Sequence, residues 1–317
     1  MKTSLTPVVL LLCLLGLSAH AQPSGSPRPR PPASWIMPDI SGPNLARHTF
    51  DSQAAGEKVS YLLYLPPGYE KSATTRYPVV YWLHGLGGSQ QGAPDFCERL
   101  TQAITDGKTP PMIVVFVNGM IDSFYCDSAT QRRPVETIII KELIPHIDAT
   151  YRTVTKREGR AIEGFSMGGF GAAHLGFKYP ELFGTVSMID AALVSLDTMQ
   201  TRHADIFASV FDRNADAFTA AHPVTLAGKN TAALKTGTFI RQVTGPLRQP
   251  NEVLHEKLTS LGIPHDYHYI SGVPHSPKVI YEHLGDANWA FYRKAFASVT
   301  DTKMSHKEAV SMAAGVK

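Results

Sequence analysis

The chain has 317 residues, of which 43% are hydrophobic and 18% charged, and this composition is that of an ordinary globular protein. Its 25 glycines and 23 prolines are too few for a collagen-like or low-complexity chain, which excludes disorder throughout. Thirty basic and 27 acidic side chains give a formal charge of +3 without a block of like charge, so no electrostatic surface for nucleic acid is expected.

The first 21 residues have the pattern of a secretory signal peptide. Lys2 precedes an apolar run, Val8 to Leu17, that is too short to cross a bilayer. Ala19 and Ala21 are small residues at the two positions that a signal peptidase reads. We therefore predict an exported protein, periplasmic or extracellular, that begins at Gln22 after cleavage and has no membrane segment. The alternative is a membrane anchor, but the run lacks flanking stop-transfer charges.

Proline-rich sequence follows the signal and predicts an exposed linker over residues 22–48. Proline fixes φ and lacks the backbone donor, so the stretch 22–34 cannot form a helix or a ladder. Residues 301–317 are small and polar without an apolar stripe, which predicts a flexible C-terminal tail. A single domain is then expected over residues 49–300.

Short apolar segments within this domain predict buried strands, and amphipathic stretches between them predict helices. Segments that are apolar on both faces are typical of parallel strands covered on both sides. Strands that alternate with helices predict an α/β fold with a mostly parallel central sheet and helices on both faces. The predicted strands are Val59–Leu65, Tyr77–Leu83, Met112–Val117, Arg160–Glu163, Val186–Ile189, Phe239–Val243 and Tyr267–Ile270, and the clearest helices are Val135–Ile147, Gly169–Tyr179 and Glu252–Leu261.

Two cysteines, Cys97 and Cys126, remain after the signal leaves with Cys13. In an exported chain a single pair of cysteines favours one disulfide, and we predict this bridge. The alternative is two buried free thiols.

A candidate nucleophile lies at the start of a predicted helix. Gly164-Phe165-Ser166-Met167-Gly168 matches the pattern G-x-S-x-G between a strand and a helix. The glycines permit a turn too tight for Cβ atoms beside the serine, and the helix N-terminus favours developing negative charge. This context predicts that Ser166 is a nucleophile and not part of a merely glycine-rich turn.

A serine nucleophile needs a base, and thirteen histidines are available. His275 follows the last predicted strand in a loop and is the predicted base. His255 lies inside a predicted helix, while His265 and His268 flank or occupy a strand, so surface or packing roles suit them better. The spacing of these histidines matches no zinc motif, and we predict neither a metal nor a cofactor.

The tetrahedral intermediate of acyl transfer also needs two backbone donors. The N–H of Met167, directly after the serine, is one candidate. The loop His84-Gly85-Leu86-Gly87-Gly88 follows a predicted strand, and Leu86 N–H is the second candidate. A glycine-rich connection without such a role is the alternative.

These motifs together resemble those of the esterase D-like esterases, an α/β-hydrolase family that includes feruloyl, acetylxylan and enterochelin esterases. The resemblance covers about residues 59–296. It implies Ser166 as nucleophile, His275 as base, and Leu86 and Met167 as oxyanion donors. The segments that carry it are Tyr77–Gly88, Glu142–Asp148, Gly164–Gly169 and Gly272–His275.

The sequence departs from this family at the third catalytic residue. The family places an Asp shortly after the strand near Phe239–Val243, but here Thr244–Asn251 contains no carboxylate. Asp190, at the end of the strand after the nucleophile helix, is the predicted acid, and a cap for a helix beginning at Ala191 is its other explanation. Glu252 is the alternative acid, with a helix-start role as its other explanation, and no acid at all is a third outcome.

Glu163 is a second unusual feature of the sequence, because it places a carboxylate on a strand that is predicted to be buried. It is expected to pair with Arg160 or a basic loop residue and to support the site without contacting substrate.

The function predicted from these residues is hydrolysis of a carboxylic ester through an acyl-serine intermediate, with a small-molecule or polysaccharide-linked ester, such as an acyl or feruloyl ester, as substrate. Acyl transfer to a sugar alcohol and a catalytically impaired binding module are the alternatives. The oligomeric state is not predicted.

Overall fold

The computed structural model describes residues 34–129 and 132–300, and eight strands in them form one sheet. The strands lie in the order β1-β2-β4-β3-β5-β6-β7-β8. The β1–β2 and β2–β4 pairs are antiparallel and all the others are parallel, so the predicted mostly parallel sheet is confirmed. The strands are β1 Leu45–Ser52, β2 Glu57–Tyr64, β3 Val79–Leu83, β4 Ile113–Val117, β5 Arg160–Phe165, β6 Thr185–Ile189, β7 Phe239–Thr244 and β8 Asp266–Tyr269.

Helices join these strands and cover both faces of the sheet. The predicted helix Val135–Ile147 consists of α2, a π-helical segment over Ile138–Leu143, and α3. The other predicted helices correspond to α4 and α10, which each begin earlier than expected. The helices are α1 Ala93–Thr105, α2 Val135–Thr137, α3 Ile144–Thr150, α4 Met167–Lys178, α5 Leu196–Arg202, α6 Ala204–Phe211, α7 Ala215–Ala221, α8 Pro223–Lys229, α9 Thr231–Lys235, α10 Arg248–Ser260, α11 Pro277–Leu284 and α12 Asp286–Ala295.

The sheet separates two large hydrophobic clusters. Successive side chains of a strand point to opposite faces, so Tyr81 of β3 joins one cluster and its neighbour Trp82 joins the other. The cluster that contains Tyr81 includes α4 and the helices α5 to α9, whereas the cluster that contains Trp82 includes α1 and α12.

This separation explains why the predicted disulfide is wrong. Cys97, on α1, belongs to the Trp82 cluster, and Cys126 belongs to the Tyr81 cluster on the opposite face. Both are buried free thiols, because the sheet lies between them.

The structure moves the start of the domain toward the N-terminus. Trp35 and Met37, inside the predicted linker, are buried, and β1 begins at Leu45. The Ser60 hydroxyl donates to Trp35 O and accepts from Met37 N–H, so residues 34–48 pack against β2 and are not a free linker. The predicted signal peptide, the rest of the linker and the tail 301–317 lie outside the described residues. Among the described helices, none is long and apolar enough to cross a bilayer.

Candidate active site

Ser166 occupies a sharp turn between β5 and α4. Its φ of 57° and ψ of −117° are uncommon for a residue with a side chain. A Cβ on Gly164 would lie 2.1 Å from Gly168 O, and a Cβ on Gly168 would lie 2.0 Å from Leu83 O. Both glycines of the G-x-S-x-G pattern are therefore required, because the helix starts in backbone contact with β3 and β5.

His275 is hydrogen-bonded to Ser166. Its Nε2 lies 2.9 Å from Ser166 Oγ, and its Nδ1 lies 2.6 Å from Asp190 Oδ2. A carboxylate only accepts, so Nδ1–H donates to Asp190 and Nε2 accepts from the serine hydroxyl. The Phe165 ring packs on the imidazole with ring centroids 4.5 Å apart, which restrains the ring plane. The structure thus brings together Ser166, His275 and Asp190 from three separate loops.

Asp190 directly follows β6 and is completely buried. Its Oδ1 accepts from Gly245 N at 2.8 Å and from Leu247 N at 3.1 Å. Backbone donors and the histidine therefore hold the carboxylate in one orientation. No helix begins at the following residues, since α5 begins at Leu196 with Ser195 as its cap, so the helix-cap explanation of Asp190 is wrong.

The stretch after β7 that lacks a carboxylate supplies the donors to Asp190 instead. Glu252, the alternative acid, lies on α10 and forms an exposed ion pair with Arg248, with Arg248 Nε and Glu252 Oε1 2.6 Å apart. It has no contact with His275. Helix α10 begins at Arg248, four residues before Glu252. Glu252 is therefore one turn inside the helix, where it pairs with Arg248 on the surface, and it is not at the helix start.

The two predicted oxyanion donors are Met167, which directly follows Ser166, and Leu86, whose neighbour Gly85 lies close to Ser166. Met167 is the first residue of α4, where a backbone N–H has no carbonyl acceptor within the helix. Leu86 lies in the loop after β3, and its N–H has no acceptor among residues 34–129 and 132–300. The neighbouring Gly85 contacts the nucleophile, since a Cβ placed there would lie 3.4 Å from Ser166 Cβ.

Two buried side chains fix the backbone of this loop. Gly119 N–H donates to His84 Nε2 at 3.1 Å, so Nδ1 carries the proton and donates to Gly85 O at 2.8 Å. Burial lowers the pKa of His84 to about 4, partly opposed by the bond to Gly85, and the ring stays neutral. The Tyr125 hydroxyl donates to His84 O at 2.9 Å.

Tyr125 was not predicted, and its place depends on two glycines. The ring is completely buried between the loop after β4 and helix α4. A Cβ on Gly119 would lie 2.2 Å from Tyr125 Cε1, and one on Gly171 would lie 2.3 Å from its Cδ2. The only sequence signal for the position of Tyr125 was the glycine at 119 and the glycine at 171. These two positions are far apart along the chain, so the signal cannot be recognised before the fold is known.

Glu163 pairs with Arg241 and not with Arg160, which contacts Asp148. Glu163 and Arg241 are both buried, with Arg241 Nη2 2.6 Å from Glu163 Oε2. The hydroxyl of Tyr281 on α11 donates to Glu163 Oε1 at 2.6 Å. Helix α11 follows the loop that carries His275, so Glu163 connects that helix to the nucleophile strand without touching Ser166.

The other histidines considered as bases lie in different surroundings. His255 Nδ1 lies 2.8 Å from His265 Nε2, and the His255 ring stacks on Tyr267. His268 is an exposed residue of β8. These contacts fit the packing or surface roles predicted for them.

A serine on a strand–helix turn, bonded to a histidine after the last strand of a mostly parallel sheet, defines the α/β-hydrolase class. Solved structures share this fold. A ferulic acid esterase superposes with a TM-score of 0.67 at 22% identity, covering 80% of this chain and 98% of that one. An S-formylglutathione hydrolase from Agrobacterium tumefaciens gives a TM-score of 0.63 at 17% identity, covering 80% and 95%.

Sequence comparison then gives the family. The model of the family described as "Putative esterase" matches residues 52–300, and the chain belongs to this family. An endo-1,4-beta-xylanase/feruloyl esterase from Xylanibacter ruminicola is 34% identical over 154 residues, which are 46% of this chain and 21% of the relative. Esterase Rv1288 from Mycobacterium tuberculosis is 36% identical over 148 residues, 46% of this chain and 32% of the relative. The chain thus spans a fifth to a third of the length of these relatives.

Proposed function

We propose that this protein is an exported serine esterase that hydrolyses carboxylic esters through an acyl-serine intermediate. The observation that carries the proposal is the continuous hydrogen-bonded chain from Ser166 Oγ through His275 to Asp190. Membership of the esterase family supports the same activity.

Each group in this chain has a defined task in the proposed reaction. Ser166 Oγ attacks the ester carbonyl while His275 Nε2 takes its proton, and Asp190 stabilises the imidazolium that forms. The N–H groups of Leu86 and Met167 hold the developing oxyanion. Collapse of the tetrahedral intermediate expels the alcohol, which receives the proton from His275. Water then hydrolyses the acyl-serine by the same steps.

The hypothesis of an impaired binding module rested on the missing acid after β7. We propose Asp190 as this acid, because its carboxylate contacts His275 Nδ1. This contact supports ester hydrolysis over the binding-module hypothesis, which depended on the absence of an acid.

The proposed substrates are acyl or feruloyl esters of polysaccharide. One curated relative is itself an endo-1,4-beta-xylanase/feruloyl esterase, and its aligned part is 34% identical to this chain. The proposal of export is supported by the charged, apolar and small-residue pattern of the first 21 residues. The test of export is N-terminal sequencing of the protein from a periplasmic or culture fraction. The expected first residue is Gln22, and retention of an uncleaved chain in the cytoplasm would contradict export.

Labelling with a fluorophosphonate tests the nucleophile directly. The wild-type protein should form a covalent adduct, and Ser166→Ala should not. Ser260→Ala is the matched control, since Ser260 is an exposed serine at the end of α10. Peptide mapping should place the adduct on Ser166. Equal labelling of the wild type and Ser166→Ala would reject the assignment.

A further inference from the structure

Asn251 is a polar side chain on the buried face of α10. It lies in the first turn of the helix, at helical spacing from Leu254 and Leu258, and all three residues are buried. Asn251 is completely shielded from solvent. A buried amide is costly unless it is hydrogen-bonded, so its partners indicate why an asparagine occupies this otherwise apolar face.

The Nδ2 group of Asn251 donates to two carbonyl groups. It lies 2.8 Å from Ala191 O and 2.7 Å from Leu247 O. The bond to Leu247 is local to the helix, because Leu247 is four residues earlier, whereas Ala191 is 60 residues away in the loop after β6. A role in starting helix α10 therefore does not explain Asn251, since its amide also joins the helix to another loop.

Both carbonyl groups belong to residues that flank or contact Asp190. Ala191 directly follows Asp190 in the chain, and the Leu247 N–H donates to Asp190 Oδ1 at 3.1 Å. One side chain thus holds the residue after the acid and also a residue that donates to the acid. Asn251 can therefore act on the Asp190 carboxylate through these two residues.

The backbone of Asp190 needs such support. Its φ of 43° is in the left-handed region, which residues with a side chain adopt uncommonly. The chain after it has no helix or strand until α5 begins at Leu196. Hydrogen bonds that fix this loop oppose relaxation of the Asp190 backbone, and such a relaxation would turn the carboxylate away from His275.

Gln242 fixes the orientation of the Asn251 amide. Gln242 is a completely buried residue of β7, and its Nε2 donates to Asn251 Oδ1 at 3.1 Å and to Asn251 O at 2.7 Å. Because Oδ1 accepts from Gln242, Nδ2 faces the two carbonyl groups. Two buried amides therefore connect β7 to the loop that carries the acid.

We propose that Asn251 is a positioning residue of the esterase reaction, which holds the Asp190 carboxylate against His275 by fixing Ala191 and Leu247. This inference rests on the proposed esterase function. The stretch Thr244–Asn251, which contains no carboxylate, then supports an acid that lies on another strand.

Asn251→Leu keeps a similar side-chain volume and removes both donors. For 4-nitrophenyl acetate, kcat should fall about tenfold to a hundredfold with KM changed by less than about twofold, because Asp190 stabilises the imidazolium that forms only during the reaction. Asn230→Leu is the matched control, since Asn230 Nδ2 donates to Phe177 O at 2.7 Å, near the C-terminal end of α4, and it should keep the wild-type kcat. A wild-type kcat in Asn251→Leu would overturn the proposal.

A double-mutant cycle distinguishes positioning from a general loss of packing. If Asn251 acts through Asp190, Asn251→Leu should lower kcat no further in the Asp190→Asn background. A substitution that only loosens the structure would lower kcat by the same factor in both backgrounds. Equal factors would therefore count against a positioning role.

Proton NMR tests the proposal without catalysis. His275 Nδ1 and Asp190 Oδ2 are 2.6 Å apart, and the proton between them should give a far-downfield signal, assigned by its absence from His275→Asn. The signal should be unchanged in Asn230→Leu and shifted or lost in Asn251→Leu. This pattern would support the positioning role even if no ester were cleaved, a result that would count only against the esterase proposal. An unchanged signal in Asn251→Leu would reject the positioning role and leave the esterase proposal standing.

If Asn251→Leu does not fold, Gln242→Met gives an independent test, because it removes the donor that orients the Asn251 amide and keeps a similar volume. The kcat for the same ester should fall severalfold with KM nearly unchanged, and this fall should disappear in the Asp190→Asn background. A wild-type kcat in the folded Gln242→Met protein would also overturn the proposal.

Discussion

Two histidines of this protein each contact a buried carboxylate, and the surroundings of the second ring nitrogen distinguish them. In the candidate active site, His275 Nδ1 faces Asp190, and Nε2 faces the Ser166 hydroxyl. On the Tyr81 side of the sheet, His174 Nε2 lies 2.7 Å from Glu136 Oε2, and Nδ1 lies 2.7 Å from the carbonyl oxygen of Ala221. A hydroxyl can donate to a neutral imidazole, but a carbonyl cannot.

His174 must therefore carry both protons. Burial lowers the pKa of His174, but the neighbouring Cys126 and Glu136 raise it more, to about 10. Burial likewise raises the pKa of Glu136, while hydrogen bonds from His174, Lys178 and Tyr179 lower it to about 2. The pair is a buried ion pair over most of the pH range.

The comparison teaches that a carboxylate partner does not by itself make a histidine a base. His275 has a neighbour that can give and take a proton, and its side chain is 37% exposed. The His174 side chain is 2% exposed and enclosed by acceptors, so it ties the end of α7 to the nucleophile helix α4. Substitutions around His275 should therefore change the reaction rate, whereas substitutions around His174 should change the stability of the fold.

The largest effect is expected from Ser166→Ala. Loss of the nucleophile should lower kcat for an activated ester by roughly 10⁶-fold. The thermal midpoint should change little, because removing one hydroxyl from a turn leaves almost no cavity. Steady-state kinetics and thermal unfolding on the same preparation measure both. Substantial remaining activity would show that another group is the nucleophile.

Asp190→Asn should lower kcat by about 10⁴-fold, because the amide no longer holds His275 in the tautomer that accepts the serine proton. Glu252→Gln is the matched control and should stay near the wild-type rate, since the Glu252 carboxylate forms an exposed ion pair with Arg248. If Glu252→Gln lost activity and Asp190→Asn kept it, the acid would have to be reassigned.

His174→Gln should act on stability and leave the chemistry almost unchanged. Removing one partner of a buried ion pair should lower the free energy of unfolding by about 3 kcal/mol near pH 6. The folded-state pKa of His174 is raised above 6.5, so this contribution is complete below pH 6.5 and is lost as the pH rises through about 10. Urea unfolding at pH 6 and pH 9 should show the difference between variant and wild type shrinking. A constant difference would mean that His174 is neutral when folded.

The sequence predicted the parts of the site that are local. Ser166 was predicted because strand, tight turn and helix are consecutive, and His275 because it follows the last strand in a loop. Asp190 remained one of three outcomes, since the choice depends on which strand end reaches a loop 85 residues further along the chain. The Glu136–His174 pair was not predicted, because its members are 38 residues apart and neither belongs to a motif.

The missed elements of the fold have similar causes. Strand β1 mixes polar and apolar residues at the edge of the sheet, so it lacks the two-sided apolar pattern that predicted the central strands. The helices α5 to α9 are five to eight residues long, too short for a helical period to be recognised. The contact of Cys97 and Cys126 with opposite faces could not be predicted before the sheet was known.

Tyr125→Phe should lower kcat, but by less than Ser166→Ala or Asp190→Asn. The ring still fills its space between Gly119 and Gly171, but His84 O loses its donor and the oxyanion loop is less firmly held. We expect kcat to fall about tenfold with KM nearly unchanged, since only the transition state uses the oxyanion donors. Tyr64→Phe is the control, because the Tyr64 hydroxyl contacts Thr101 instead. A rise in KM with constant kcat would contradict a positioning role.

The smallest expected effect comes from His222→Asn, which tests the comparison with a third histidine. The His222 ring packs between Phe170 and Phe218, and its Nδ1 accepts from Val224 N–H at 3.3 Å. Burial lowers the pKa of His222 to about 4, a backbone hydrogen bond opposes this, and the charge of His174 adds to it.

A neutral buried histidine has the opposite pH signature from His174. Its folded-state pKa is below 6.5, so its contribution to stability is complete above pH 6.5 and is lost as the pH falls toward about 4. His222→Asn should cost about 1 kcal/mol at pH 8, and the cost should shrink at pH 5, whereas the cost of His174→Gln shrinks toward pH 9. One urea series over these pH values measures both variants. If the two costs changed with pH in the same direction, the assignment of one charged and one neutral buried histidine would be wrong.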